Sequence, residues 1–130
     1  MMLVQAQIQP AATDEPMTIT LYGIKNCGTV AKARTWLDER GLAYVFHDYK
    51  ASGIDRARLT GWAEELGWDK VLNRAGTTFR KLPPSDTADL DAAKAITLML
   101  AQPSMIKRPL LDLGDRRVLG FKPEIYDGLF

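Results

Sequence analysis

A strand–helix–strand unit predicted over residues 17–49 is the feature that most constrains the fold of this chain. Met17–Tyr22 is rich in β-forming residues and largely alternates, which predicts a strand, and Ala43–Tyr49 predicts a second strand. Between them, Thr29–Arg40 places apolar residues three and four positions apart, which predicts an amphipathic helix that stops at Gly41. Because a helix separates the two strands, we expect them to pair in parallel through a right-handed crossover.

The rest of the chain predicts a helical middle followed by a β-hairpin and a last helix. In chain order, the predicted elements are a helix at Ile54–Leu66 with Asp55 near its start, a short helical turn at Trp68–Leu72, an irregular basic segment at Asn73–Leu82, a break at Pro83-Pro84, a helix at Asp89–Ala101, strands at Leu110–Leu113 and Arg117–Phe121, and a helix at Pro123–Leu129. Gly114-Asp115 lies between the last two strands and indicates a hairpin turn. The pattern therefore predicts an α/β domain with the order β-α-β, helices, β-β-α.

Length and composition limit the kinds of protein this chain can be. Its 130 residues suit one domain, and we expect residues 17–130 to form it, with residues 1–16 a disordered extension that does not resemble a signal peptide. The formal net charge of +1 gives no general reason to expect nucleic acid or an anionic membrane as a partner. One cysteine cannot form an intramolecular disulfide, which suits a reducing cytoplasm. One cysteine and one histidine do not supply the ligands of a structural zinc site, so we expect none.

The loop that contains Cys27 is the predicted centre of any chemistry. Cys27 lies between a strand and a helix, where unpaired N–H groups and the helix dipole stabilise a thiolate and lower the pKa of the thiol. Lys25 adds a nearby positive charge, and Gly28 leaves the sulfur uncovered. The alternative is a buried, inert cysteine, but such residues belong on the face of a helix or strand rather than in a loop. Val30 stands where a dithiol enzyme has its second cysteine, so we expect a second thiol to come from another molecule.

Four segments carry a resemblance to a known family. They are ITLYGIKNCGTVAK at Ile19–Lys32, FHDYK at Phe46–Lys50, LNRAGTTFRKL at Leu72–Leu82 and MIKRPLL at Met105–Leu111. In this order they resemble the arsenate reductase/Spx-like family, and within it the YffB-like branch, over roughly Thr18 to Phe130. The resemblance implies a thioredoxin-like, mixed four-stranded sheet with a helical insertion between its βαβ and ββα halves, and a catalytic cysteine at Cys27.

The resemblance also implies a role for Arg108 and Pro109. In arsenate reductases the matching arginine contacts the oxyanion, and in thioredoxin-like folds the matching proline is cis and presents its backbone to a substrate thiol. Base rates alone favour a trans bond at Pro109. Asn73 stands where glutathione-linked arsenate reductases have another arginine, and Val30 removes the CxxC switch of Spx regulators. The resemblance therefore leaves arsenate specificity open.

A basic rim around the cysteine loop is the last predicted part of the site. Seven cations are candidates for it: Lys25, Arg74, Arg80, Lys81, Lys107, Arg108 and Lys122. We expect only two or three to be functional, because most such charges are solvated, with Arg108 first and Arg80 next. The predicted thiol-binding residues are Lys25, Asn26, Gly28, Arg80, Arg108 and Pro109. His47, the only histidine, is predicted to lie in a strand away from the nucleophile, and Trp36, Trp62 and Trp68 to lie in the core.

Two classes of function follow from these residues. The first is an enzyme, a monothiol reductase in which Cys27 attacks a substrate disulfide, such as one in a protein. Glutathione or another small thiol serves as co-substrate, and we expect no tightly bound cofactor. The second is a regulatory protein that binds RNA polymerase, as Spx proteins do. Arsenate reduction is the narrower alternative within the enzyme class.

Overall fold

The computed structural model describes residues 18–130, and a four-stranded mixed sheet lies at its centre. The strands are β1 at Thr20–Gly23, β2 at Val45–Asp48, β3 at Leu110–Asp112 and β4 at Arg117–Leu119. Their order across the sheet is β2-β1-β3-β4. β1 pairs in parallel with β2, and β3 pairs antiparallel with both β1 and β4. The predicted thioredoxin-like sheet is confirmed, whereas the predicted extension at residues 1–16 lies outside the described residues.

Helices flank the sheet, and most of them lie in the insertion between its two halves. Their bounds are α1 at Gly28–Glu39, α2 at Tyr49–Ser52, α3 at Arg56–Leu66, α4 at Trp68–Val71, α5 at Thr77–Arg80, α6 at Pro84–Thr87, α7 at Ala92–Ala101 and α8 at Pro123–Asp127, with a 3₁₀ turn at Pro103–Met105. Within residues 18–130, no helix combines the length and the apolar character needed to cross a membrane.

Capping carboxylates move several boundaries away from their predicted positions. The second strand was predicted to reach Tyr49, but it ends at Asp48. The Asp48 carboxylate accepts hydrogen bonds from the backbone N–H groups of Lys50 and Ala51 and so caps α2, which begins at Tyr49. The third long helix was predicted from Asp89, but Asp91 caps it by accepting from Lys94 N–H at 2.8 Å. These two predicted boundaries are wrong, while the predicted position of Asp55 at the start of α3 is confirmed.

Three predictions for the insertion and the first strand also need correction. The segment predicted as irregular, Asn73–Leu82, contains the helical turn α5. The predicted break at Pro83-Pro84 is the start of α6, where Pro84 occupies the first helical position and its missing N–H costs no hydrogen bond. The first strand was predicted to end at Tyr22, whereas β1 extends to Gly23.

The two central strands separate two apolar clusters. Alternate residues of a strand point to opposite faces, so Leu21 and Leu111 pack under α1 and α8, while Tyr22 and Leu110 pack against the insertion. Both clusters contain fully buried side chains. The carboxyl end of β1 is therefore held between two packed layers, and the loop that follows it emerges at a fixed place.

Candidate active site

Cys27 occupies the N-cap position of α1, directly after the loop that leaves β1. Its backbone is extended, with φ −105° and ψ 125°, and its carbonyl accepts the first helical hydrogen bond from Ala31 N–H at 2.9 Å. The side chain is partly exposed, although it also touches the cluster under α1. The predicted position at a helix N-terminus with solvent access is confirmed.

The surroundings of the Cys27 sulfur lower the pKa of the thiol. Partial burial is the largest single influence and acts to raise that pKa. Burial is outweighed by the polar groups near the sulfur, namely the backbone N–H groups of Val30 and Thr29 and the positively charged Arg108 guanidinium. The net result is a thiol that ionises more readily than an ordinary cysteine, and the thiolate is the nucleophilic form.

Arg108 reaches the sulfur from the segment that leads into β3. Its Nη1 donates to the carbonyl of Ser104 at 2.8 Å, while its Nε is buried without a hydrogen-bond partner among the described residues. The bond between Arg108 and Pro109 is cis, as the family resemblance implied. Pro109 is buried, and its carbonyl accepts from Gly120 N–H at 2.8 Å. The backbone on both sides of Arg108 is thus held by neighbouring elements.

Two further contacts support the cysteine loop and the Arg108 segment. The hydroxyl of Tyr49 is fully buried and donates to the carbonyl of Ile106 at 2.9 Å, and burial raises the pKa of this phenol. The carboxylate of Asp48, which caps α2, also accepts from the backbone N–H of Lys25 at 3.3 Å. The start of the insertion therefore braces both sides of the site.

A groove of about 400 Å³ opens beside Cys27. It is lined by Lys25, Asn26, Cys27, Gly28, Val30, Ala31, Arg34 and Phe46. Three of the predicted thiol-binding residues, Lys25, Asn26 and Gly28, are among them. No acidic side chain lines the groove, so its charge is positive.

The other predicted cations divide between a second groove and open surface. A groove of about 620 Å³ is lined in part by Arg74 and Lys107, and Arg74 lies 5.3 Å from the Trp68 ring centroid in a cation–π contact. Arg80 is exposed at the end of α5 and lines neither groove, so its assignment to the thiol site stays a prediction. Lys81 and Lys122 are likewise exposed and line neither groove.

Sequence reasoning missed Arg34 and Phe46 as parts of the site. Arg34 lies seven positions after Cys27, which places it two helical turns along the same face of α1, so its spacing was an available signal. Phe46 lies on β2, and only the pairing of the strands brings it beside α1. His47 lies in β2, as predicted, and its Nε2 forms a hydrogen bond with the carbonyl of Gly53 at 2.8 Å.

The thioredoxin-like sheet carries one cysteine at the N-terminus of α1. Three positions later, where a dithiol protein has its second cysteine, lies the buried Val30, so this is a single-thiol protein. The sequence profile of the ArsC family matches residues 22–129. This chain belongs to the ArsC family.

Known relatives agree with this assignment. An uncharacterized protein of Haemophilus influenzae is 37% identical over 112 residues, covering 86% of this chain and 98% of its own. The solved structure of a YffB protein is 67% identical, with a TM-score of 0.83 over 85% of this chain and 97% of its own. The solved structure of an arsenate reductase-related protein of Brucella melitensis is 49% identical, with a TM-score of 0.71 over 92% of this chain and 97% of its own. The global transcriptional regulator Spx of Streptococcus mutans is 26% identical over 108 residues, covering 82% of this chain and 78% of its own.

Proposed function

We propose that this protein is a monothiol reductase that uses glutathione as its co-substrate. The observation that carries the proposal is the position of the Cys27 side chain, which is partly exposed at the N-cap of α1 and lines a groove with Lys25 and Arg34. Val30, at the position of a second cysteine, is 2% exposed and cannot form a disulfide. Turnover therefore needs a thiol from solution.

The proposed cycle consists of two thiol–disulfide exchanges. In the first, the Cys27 thiolate attacks the glutathionyl sulfur of a mixed disulfide, a new S–S bond forms, and the substrate thiolate leaves and takes a proton from water. In the second, a glutathione thiolate attacks the glutathionyl sulfur on Cys27, which releases oxidised glutathione and restores the Cys27 thiolate. The substrate gains two electrons, and glutathione supplies them.

The groove supports an anionic thiol as the partner. Lys25 and Arg34 line it together with the sulfur, and glutathione carries two carboxylates. Arg108 stands beside the sulfur, where its guanidinium stabilises a thiolate at Cys27 before attack and after release.

A coupled assay tests the proposal. The protein is mixed with a glutathionylated peptide, glutathione, glutathione reductase and NADPH, and the oxidation of NADPH is followed by its absorbance. We expect turnover by the wild type and none by Cys27→Ser. Wild-type turnover no faster than that of Cys27→Ser would contradict the proposal.

A regulatory function is the second candidate, because a 26% identical relative is a global transcriptional regulator named Spx. Its test is co-elution of the purified protein with purified RNA polymerase on a sizing column. Arsenate reduction is less well supported, since Asn73 and Arg74 line the second groove rather than the one at Cys27. Replacing the peptide by arsenate in the coupled assay tests that activity directly.

A further inference from the structure

The groove beside Cys27 extends along α1 to a second cation, Arg34. Ala31 lies between the two residues on the same face of the helix, and Phe46 of β2 forms the far wall. Seven residues of helix correspond to about 10 Å along the axis, and a helical side chain leans back toward the N-terminus, which shortens the gap to the sulfur. The groove is thus a short channel with a nucleophile at one end and a guanidinium toward the other.

Contacts from β2 and the segment before it fix the orientation of Arg34. Its Nε donates to the hydroxyl of Tyr44 at 3.1 Å, and its guanidinium carbon lies 4.2 Å from the centroid of the Phe46 ring. The side chain is half-buried, and among residues 18–130 neither Nη atom has a hydrogen-bond or ion-pair partner. A planar guanidinium held in this way keeps two parallel N–H donors, the arrangement that matches a carboxylate.

A thiol bound to Cys27 can place a carboxylate at this distance. The S–S bond spans about 2 Å, and one extended peptide residue adds about 3.5 Å beyond the cysteine that carries the sulfur. A cysteinyl peptide with a carboxylate one residue from its cysteine, such as glutathione, therefore reaches from the sulfur toward Arg34. No acidic side chain lines the groove to compete for the guanidinium.

We propose that Arg34 binds a carboxylate of the thiol joined to Cys27 and so selects anionic thiols for exchange at this site. The inference deepens the proposed function and rests on it, because it needs Cys27 to exchange disulfides. In the exchange, the Cys27 thiolate displaces one glutathione thiolate from oxidised glutathione, so one S–S bond forms as another breaks. Tyr44 and Phe46 are positioning residues that hold the guanidinium, and Arg34 makes the contact.

The test compares disulfides that differ in charge. Purified protein is mixed with oxidised glutathione, with its ethyl ester in which every carboxylate is masked, or with neutral 2-hydroxyethyl disulfide, and the rate of adduct formation at Cys27 is measured by intact mass. We expect Arg34→Ala to slow the reaction with oxidised glutathione about tenfold, which equals roughly 1.4 kcal/mol, and to change the reaction with 2-hydroxyethyl disulfide less than twofold. Arg34→Lys keeps the positive charge but loses the two parallel N–H donors. Its rate with oxidised glutathione should therefore lie between those of the wild type and Arg34→Ala.

Arg116 provides the matched control, because it is exposed in the turn after β3, at the opposite end of the sheet from Cys27. Arg116→Ala should react as the wild type does. Equal slowing of all three disulfides by Arg34→Ala, or no slowing of any, would overturn the role of Arg34. If Arg34→Ala does not fold, the wild type alone tests the proposal. An ethyl ester that reacts with the wild type as fast as oxidised glutathione does would also overturn the role of Arg34. A wild type that reacts with no disulfide overturns the proposed function itself.

Discussion

The guanidinium of Arg108 lies close enough to Cys27 to lower the pKa of its thiol, although the two residues belong to opposite halves of the fold. Cys27 follows β1, and Arg108 immediately precedes the cis proline that leads into β3. The antiparallel pairing of Tyr22 with Leu110 brings these two segments together. The ionisation of the thiol therefore depends on the pairing of β1 with β3.

Arg108→Ala should make Cys27 less reactive at neutral pH. Burial of the thiol raises its pKa, but the donors, Arg108 included, outweigh burial and lower it, so removing Arg108 moves the alkylation curve to higher pH. A partly exposed, charge-assisted hydrogen bond contributes about 1 kcal/mol, which corresponds to roughly fivefold in rate at pH 7. The measurement is the rate of iodoacetamide alkylation against pH, with Arg116→Ala as the control. An unchanged curve for Arg108→Ala would show that the guanidinium does not act on the sulfur.

Tyr49→Phe should destabilise the protein, whereas Tyr126→Phe should not. Both side chains are fully buried, but the Tyr49 hydroxyl donates to the carbonyl of Ile106, whereas the Tyr126 hydroxyl has no partner among the described residues. Losing the first leaves a buried carbonyl unpaired and should lower the free energy of unfolding by about 1–3 kcal/mol. Losing the second should be neutral or stabilising. Urea titration of both variants measures the difference, and equal losses would contradict the assigned contacts.

Gly23→Ala should disturb the cysteine loop, while Gly28→Ala should not destabilise the fold. A Cβ at Gly23 would lie 2.8 Å from Cγ2 of Val30, which is buried and cannot yield freely. We expect a cost of about 1–3 kcal/mol from this overlap. A Cβ at Gly28 meets nothing within 4 Å. Alanine in the first turn of α1 should therefore raise the free energy of unfolding by about 0.4–1 kcal/mol. Thermal unfolding compares the two variants, and a Gly23→Ala protein as stable as the wild type would refute the close packing.

Asp48→Ala should destabilise the protein more at neutral pH than in acid. Slight burial raises the pKa of Asp48, but hydrogen bonds from the backbone N–H groups of Ala51, Lys25 and Lys50 outweigh it, and the pKa falls below the ordinary aspartate value. A carboxylate with a lowered pKa stabilises the fold fully above its unfolded pKa, near 3.9, and loses that contribution as pH falls through the folded pKa.

The expected cost of Asp48→Ala at pH 7 is about 1 kcal/mol, typical of a lost helix cap. The difference in unfolding free energy between the wild type and Asp48→Ala should become smaller below about pH 4. Unfolding free energies across this pH range measure it, with Asp115→Ala, an exposed aspartate in the hairpin turn, as the control. A gap that stays constant with pH would argue against the ionised cap.

Most of the fold was predictable because its signals are local. The periodicities of β1, α1 and β2 lie within one continuous segment, and the Gly114-Asp115 turn marks the hairpin. The helix starts were harder, because Asp89 and Asp91 are both plausible caps by residue type. In the structure Asp91 caps α7, since its carboxylate accepts from Lys94 N–H, whereas Asp89 has a positive φ of 52°. The periodicity of a segment does not contain that information.

The site was predictable in part for the same reason. Cys27 and its loop follow from the strand-to-helix pattern, and the family resemblance brought in Arg108. Arg34 was missed because its role depends on Tyr44 and Phe46, which hold its guanidinium from β2 and the segment before it. That arrangement requires β2 to pair beside β1, which is a tertiary contact. Arg80 was predicted by charge alone, and the structure places it on exposed surface.

Intact mass spectrometry measures directly whether Cys27 is a reactive thiol that exchanges disulfides with glutathione. The wild type, Cys27→Ser and Arg108→Ala are each incubated with oxidised glutathione and weighed by intact mass spectrometry over time. We expect the wild type to gain one glutathionyl group, Cys27→Ser to gain none, and Arg108→Ala to gain it more slowly. A wild type that stays unmodified, or a Cys27→Ser protein that gains the same mass, would contradict this expectation.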